Sequence, residues 1–223
     1  MSETVLVIAA HPDDEVLGCG GTIARHASVG DQVHVMFLAD GVAARTRAEK
    51  SDLDRRQAAA LSAARLLSIS SVSFGELPDN KLDTVAMLDI VRPIETKLAT
   101  LAPSIIYTHH GGDLNVDHQR AYQAVLTACR PQPGTSVRRI LAFEVLSSTE
   151  WAGPLSESFC PNVFIDISAY LSQKLAALSI YGNEMRESPH ARSIANATSL
   201  AHYRGATVGR VAAESFMLIR EIR

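Results

Sequence analysis

Two short segments hold most of the chemistry available to this chain. His11-Pro12-Asp13-Asp14-Glu15 sets one imidazole and three carboxylates within five residues. About a hundred residues later, His109-His110-Gly111-Gly112-Asp113-Leu114-Asn115-Val116-Asp117-His118 carries three histidines, two aspartates and one asparagine. Two imidazoles with one carboxylate, and a fourth position left for water, make a catalytic rather than a structural zinc set. His11, Asp14 and His118 form such a set if the segments meet, and Asp13 is then a second carboxylate beside the metal, free to act as base. Fe2+ accepts the same donors. The plainer reading of the first segment is a helix start, because Asp caps well and acids favour the first turn. That accounts for one Asp, not for the whole cluster. The plainer reading of the second is a polar loop, with Asp117 capping a helix and His109 partly buried.

Both segments follow directly on apolar runs, TVLVIAA (4–10) and SIIYT (104–108). QVHVMFLA (32–39), SVSF (71–74), RRILAFEV (138–145), VFIDI (163–167) and ESFMLIR (214–220) read the same way. Runs this continuously apolar suit parallel strands covered on both faces. Helix-like stretches fall at roughly 14–28, 47–67, 83–100 and 117–130, then one to about 181 and one over 190–212. The alternation predicts an α/β fold: a Rossmann-like, doubly wound, mostly parallel sheet with helices on both faces. Ligands in such sheets sit beyond the carboxyl ends of the strands, where both His/Asp segments fall. The whole of 1–223 reads as a single domain, with a core over 1–145 and a C-terminal part, 146–223, completing the substrate site.

Composition excludes several classes. With 47% hydrophobic residues the chain has ample side chain to bury, and 21 basic against 24 acidic residues give a net charge of −3, so no basic field points to nucleic acid. Cys19, Cys129 and Cys160 form no CxxC, which fits a reduced, cytoplasmic protein and offers no thiolate zinc cluster. No apolar run is long enough to span a membrane. Gly18-Cys19-Gly20-Gly21 is not a dinucleotide fingerprint, since Ile23 stands where GxGxxG needs glycine. Those glycines read instead as sites of close helix–strand packing. His26, His34 and His202 lie inside expected elements and read as structural or surface histidines.

AHPDDE together with THHGGDLNVDH resembles the PIG-L/LmbE family of zinc-dependent de-N-acetylases, which act on N-acetylglucosamine-type sugars. Leu77-Pro78-Asp79-Asn80 is similar to the family's LPD loop, and Arg204-Gly205 with Ala213-Glu214-Ser215-Phe216 to its RG…AE-x-F tail. The resemblance implies one zinc ion held by His11, Asp14 and His118, with Asp13 as general base for the attacking water. It also implies an N-acetylated amino sugar or its conjugate as substrate, acetate and the free amine as products, and a homo-oligomer as a common assembly. Several members have His-Pro-Asp-His where this chain has Asn115-Val116-Asp117-His118, and the first of those histidines is assigned to the tetrahedral intermediate. Asn115 cannot protonate a leaving amine, so it is left to donate to an oxyanion or to support the loop. Arg56 falls where the family often has a substrate-binding arginine, within a mixed run (Arg45, Arg47, Lys50, Arg55) that otherwise reads as a solvated helix face. Asp79 is placed to bond sugar hydroxyls or to shape a turn. His190 and Arg192 either line the substrate mouth or start a helix, and Asp117 and His109 stand behind the metal ligands. Two rival readings remain: a non-catalytic sugar- or nucleotide-binding α/β protein, and a metal-dependent phosphoesterase.

Overall fold

Val5, Leu6, Val7, Ile8 and Ala9 are each no more than 1% exposed, and burial on both faces makes their strand the centre of the sheet. The computed structural model describes residues 2–42 and 50–223. Within it, β1 (Thr4–Ala9) pairs in parallel with β2 (Gln32–Ala39) and, on its other side, with β4 (Ile105–His109). β3 (Ser71–Leu77) extends the sheet beyond β2, and β5 (Arg139–Phe143) extends it beyond β4, both in parallel. β7 (Ala213–Glu221) then runs antiparallel to β5 and carries β6 (Val163–Asp166) at the edge, so the order is β3-β2-β1-β4-β5-β7-β6. The expected α/β, mostly parallel, doubly wound sheet is present.

Alternate residues of β1 serve two cores, as the period of a strand requires. Val5, Val7 and Ala9 pack with residues of α1 (Asp14–Ser28), α2 (Lys50–Leu66), α5 (Leu171–Ile180) and α6 (Ile194–Ala206). Leu6 and Ile8 pack on the opposite face with residues of α3 (Met87–Leu101) and α4 (Val116–Ala128). Two helices, α3 and α6, differ in their bounds from the sequence reading. A 3-10 turn at Leu82–Thr84 precedes α3, which begins only at Met87. α6 begins at Ile194, because Ser193 caps it by accepting from Asn196 N, and it ends at Ala206 rather than near 212. Arg45 and Arg47 of the mixed charge run lie outside the described residues. No helix among the described residues is long and apolar enough to cross a membrane.

The segments matching the family tail lock this frame. α1 breaks at Cys19 (φ −146°, ψ 24°), which frees the N–H groups of the turn that follows. Glu214 accepts from Gly21 N (2.9 Å) and Thr22 N (2.7 Å), and its charge is matched by Lys174 Nζ at 2.6 Å. Arg204 makes a two-pronged pair with Glu144 (2.8 and 2.7 Å), which also accepts from Ser215 Oγ. A Cβ on Gly18 would stand 2.3 Å from the Phe143 ring, so the glycine run permits close helix–sheet packing as expected.

Candidate metal centre and active-site cleft

Because β1 and β4 are neighbours in the same direction, the residues just past their carboxyl ends share one space. Asp14 Oδ2 lies 3.3 Å from both His11 Nδ1 and His118 Nε2. One donor atom from each of these three buried residues falls within 4.8 Å of the other two. Each imidazole is held from behind by a carboxylate. His11 Nε2 donates to Asp117 Oδ2 (2.9 Å), and His118 Nδ1 faces Asp113 Oδ1 (3.2 Å). A ligating histidine whose far nitrogen is anchored by a carboxylate is the usual second layer of a metal site, fixing tautomer and ring direction. The donor set therefore fits a divalent cation.

The electrostatics agree. Burial pushes the His118 imidazolium down, but the Asp14 and Asp113 charges outweigh it and hold its pKa at about 9. Burial likewise opposes the charge of His11, yet hydrogen bonds to Asp117, Asp14 and Asp79 raise it well above the ordinary range. Asp14 shows the reverse: burial raises it, while His118 and His11 drive it well below the usual carboxylate range. Asp113 is pulled against its burial to about 2 by His118, Ser148 and Thr149. A second group, His11, Asp79 and Asp117, also brings donor atoms within 4.8 Å of one another. Both Asp117 oxygens already accept backbone N–H groups, from Asn80 (2.7 Å) and Leu82 (2.9 Å), so this carboxylate ties the 79–82 loop to His11.

His109 accepts from Ala10 N at 2.8 Å through Nε2, so its proton sits on Nδ1. Its ring stacks on His118 with centroids 3.9 Å apart, and burial, then the neighbouring His118, keeps it neutral. It supports His118 by packing.

Asp13 adjoins the donor set without joining it. Its backbone is in the left-handed region (φ 126°), a conformation costing a non-glycine residue about 1–3 kcal/mol. Glu15 secures it: Oε2 accepts from Asp13 N (2.9 Å) and Oε1 from Tyr181 OH (2.7 Å). Burial raises the Glu15 carboxyl to about 7. Two arginines grip the Asp13 carboxylate, Arg56 Nη2 at 3.1 Å and Arg192 Nη1 at 2.9 Å. Burial drives the Asp13 carboxyl above its ordinary range, with both guanidiniums working against that shift. Arg56 is itself paired with Glu184 at 2.6 Å.

These groups line a cleft of about 280 Å3, shared with Asp79, Asn115 and Glu184. Asp79 Oδ1 stands 3.2 Å from His11 Nε2. Asn115 caps α4 by accepting from Asp117 N and donates through Nδ2 to Asn80 Oδ1 (3.2 Å), the loop-supporting geometry weighed above. His190 does not reach the cleft; it is exposed and lines a neighbouring groove. Three partners went unassigned by the sequence reading: Asp113 behind His118, Glu15 beneath Asp13, and Glu184 on Arg56. The acidic character of the segments signalled the first two, whereas nothing local signals Glu184.

A mostly parallel sheet with a buried His–Asp–His set and a separate carboxylate at its strand ends fits an α/β enzyme whose site can take a divalent metal. The family model for PIG-L, GlcNAc-PI de-N-acetylase, matches residues 6–129, and the chain belongs to that family. It is 30% identical over 180 residues to the uncharacterized deacetylase YaiS of Escherichia coli K12, covering 78% of this chain and 88% of that one. It is also 28% identical over 200 residues to a 4-oxalmesaconate hydratase of Pseudomonas putida KT2440, covering 79% and 72%. In structure it is similar to the N,N'-diacetylchitobiose deacetylase of Pyrococcus horikoshii, with a TM-score of 0.80, 18% identity, and 98% and 84% of the two chains covered.

Proposed function

We propose that this protein is a zinc-dependent N-deacetylase that hydrolyses the acetamide of an N-acetylglucosamine-type sugar or its conjugate, in the cytoplasm. The observation that carries this reading is Asp13: a buried carboxylate beside a complete donor set, yet not part of it. A purely binding protein has no use for such a group. The chain works as one domain, with residues from its C-terminal part, Glu184 and Arg192 among them, closing the cleft.

His11, Asp14 and His118 hold the metal. When bound, it polarises the acetamide oxygen and lowers the pKa of water to about 7. Asp13 takes a proton from the attacking water and returns one to the departing nitrogen, a contribution of roughly 10²–10⁴ in rate. Arg56 and Arg192 aim the Asp13 carboxylate and keep fixed positive charge in the cleft, where the acetamide oxygen gains negative charge during attack. Asp79 accepts from sugar hydroxyls, and Asn115 Nδ2 donates at the cleft rim. Asp117, Asp113 and His109 orient the ligands.

The hydratase relative supplies the second reading, in which the same base directs water to another electrophile. Acetate release separates them. The zinc-loaded protein is expected to free acetate from N-acetylglucosamine conjugates, to stop on chelation and to recover on zinc return. No acetate from any conjugate at full zinc occupancy overturns the assignment, and phosphate release in its place marks a phosphoesterase.

A further inference from the structure

Beside the cleft lies a groove of about 720 Å3 with Trp151, Tyr203, Leu146, Leu200, His190 and Asn196 in its walls. Trp151 is the only tryptophan of the chain. It is 51% exposed and Tyr203 is 62% exposed, although both are large aromatic side chains.

The groove and the cleft share a wall. Arg192 Nη1 donates to Asp13 Oδ2 (2.9 Å) while Nε donates to Ser147 Oγ (2.9 Å), and the adjoining Ala191 and His190 face the groove. The turn that carries Trp151 also anchors the metal centre. Thr149 Oγ1 donates to Asp113 Oδ2 (2.6 Å), the carboxylate behind His118. The backbone that carries the indole thus belongs to the same short segment that supports His118 through Asp113.

Size and charge limit what this groove can take. The cleft, at about 280 Å3, is just below the usual range for small-molecule sites, so it holds little beyond the acetylated ring, and the remainder of a conjugate must leave along its wall. The acidic and basic groups of the groove each have a partner: Glu144 has Arg204, Glu150 accepts from the backbone N–H groups of Ser147 and Ser148, and His190 Nδ1 accepts from Arg192 N. Partners already in place for these groups disfavour a phosphate or an ammonium as the groove's ligand. Aromatic faces interrupted by Asn196 and His190 suit a ring that is apolar on its C–H face and polar at its hydroxyl rim. An alkyl chain would want an unbroken apolar wall.

We propose that this groove is a second subsite for a neutral hydroxylated ring, a further sugar joined to the N-acetylated one, stacked on Trp151. The proposal rests on the deacetylase reading for the position of the first ring.

Because Trp151 is the sole tryptophan, its emission reports the groove directly. The zinc-loaded Asp13→Asn protein is titrated with N-acetylglucosamine, N,N'-diacetylchitobiose and octyl N-acetylglucosaminide. We expect a saturable emission change with the disaccharide, larger than with either other ligand. In the otherwise unaltered enzyme, Trp151→Ala should lower kcat/KM for the disaccharide about 3- to 10-fold more than for the monosaccharide, with Trp151→Phe recovering part. Equal emission changes with all three, a larger one with the octyl glycoside, or equal losses on both sugars overturns the subsite. So does a change of sedimentation in Trp151→Ala, which would place the indole between copies of the chain. A selective emission change without acetate release from any of the three ligands sustains the subsite while the deacetylase reading fails. Acetate release indifferent to Trp151 does the opposite.

Discussion

Arg192 donates from Nη1 to the Asp13 carboxylate at 2.9 Å, across 179 residues of chain. The contact joins the C-terminal part to the first turn after β1, and it makes Arg192 a neighbour of the proposed base. Arg192→Ala should keep its metal, since no ligand touches the guanidinium among the contacts above. Removing one of the two cations that oppose the upward shift of Asp13 raises that carboxyl further. The acid limb of the kcat/KM profile should therefore move to higher pH, with kcat lower by about 10-fold. A rise in KM alone, with the acid limb unmoved, would make Arg192 a substrate contact and nothing more.

Asp113 is expected to govern metal affinity without touching the metal. Its Oδ1 faces His118 Nδ1 at 3.2 Å, and Ser148 and Thr149 hold it in place. Replacing such an anchoring carboxylate typically costs about 10- to 100-fold in metal affinity or activity. Asp113→Ala should lose zinc to a competing chelator at correspondingly lower chelator concentration, and should regain activity when zinc is in excess. Unchanged zinc affinity would leave Asp113 as a loop residue only.

The clustering of His11, Asp14 and His118 was legible because its signal is chemical and local. His11, Asp14 and His118 follow apolar runs, and a parallel sheet puts such strand ends on one rim. Asp117 and His109 were legible beside it, but Asp113 and Glu15 were not, because their roles depend on contacts made far along the chain. Asp113 acquires its role only when the 145–149 turn reaches it, and Glu15 only when Tyr181 and the positive φ of Asp13 turn it inward. His190 shows the converse. The sequence offers it either as a mouth residue or as a helix start; Ser193, three residues later, is the cap, so His190 sits in the preceding turn beside Trp151, with ring centroids 5.8 Å apart. The tail segments were legible as family features. Their structural contacts, Glu214 on α1 and Arg204 on Glu144, needed the folded chain.

Metal binding should release protons. His118, held at about 9, and His11, raised well above its ordinary value, both carry a proton at neutral pH in the metal-free protein. A metal ligand must be a neutral imidazole, so the cation displaces those protons, and affinity rises with pH. Calorimetric titration of metal-free protein with zinc at pH 7, in buffers of different ionisation enthalpy, should give a release of more than one proton per ion. No dependence of the heat on the buffer would show that the two histidines are already neutral.

Asp13 and Asn115 together decide how protons move in the reaction. Asp13→Asn leaves His11, Asp14 and His118 unaltered, so zinc should remain at full occupancy. The amide can neither take a proton from water nor return one to the leaving nitrogen, and turnover should fall by roughly 10²–10⁴. Asn115 spends its Oδ1 on the Asp117 N–H and its Nδ2 on Asn80, and it has no proton to give at neutral pH. Asn115→Ala should therefore cost helix-cap stability, about 1 kcal/mol, and a modest part of kcat, without removing an ionisation from the pH–rate profile. Asn115→His introduces a titratable group at the same rim. If a single carboxylate already handles both proton transfers, the histidine adds no basic limb and no rate. The measurement is kcat/KM against pH for the three variants, each at verified zinc content. An Asp13→Asn enzyme with near-normal turnover and an unchanged profile would reduce Asp13 to a helix-start residue and move the base elsewhere in the cleft.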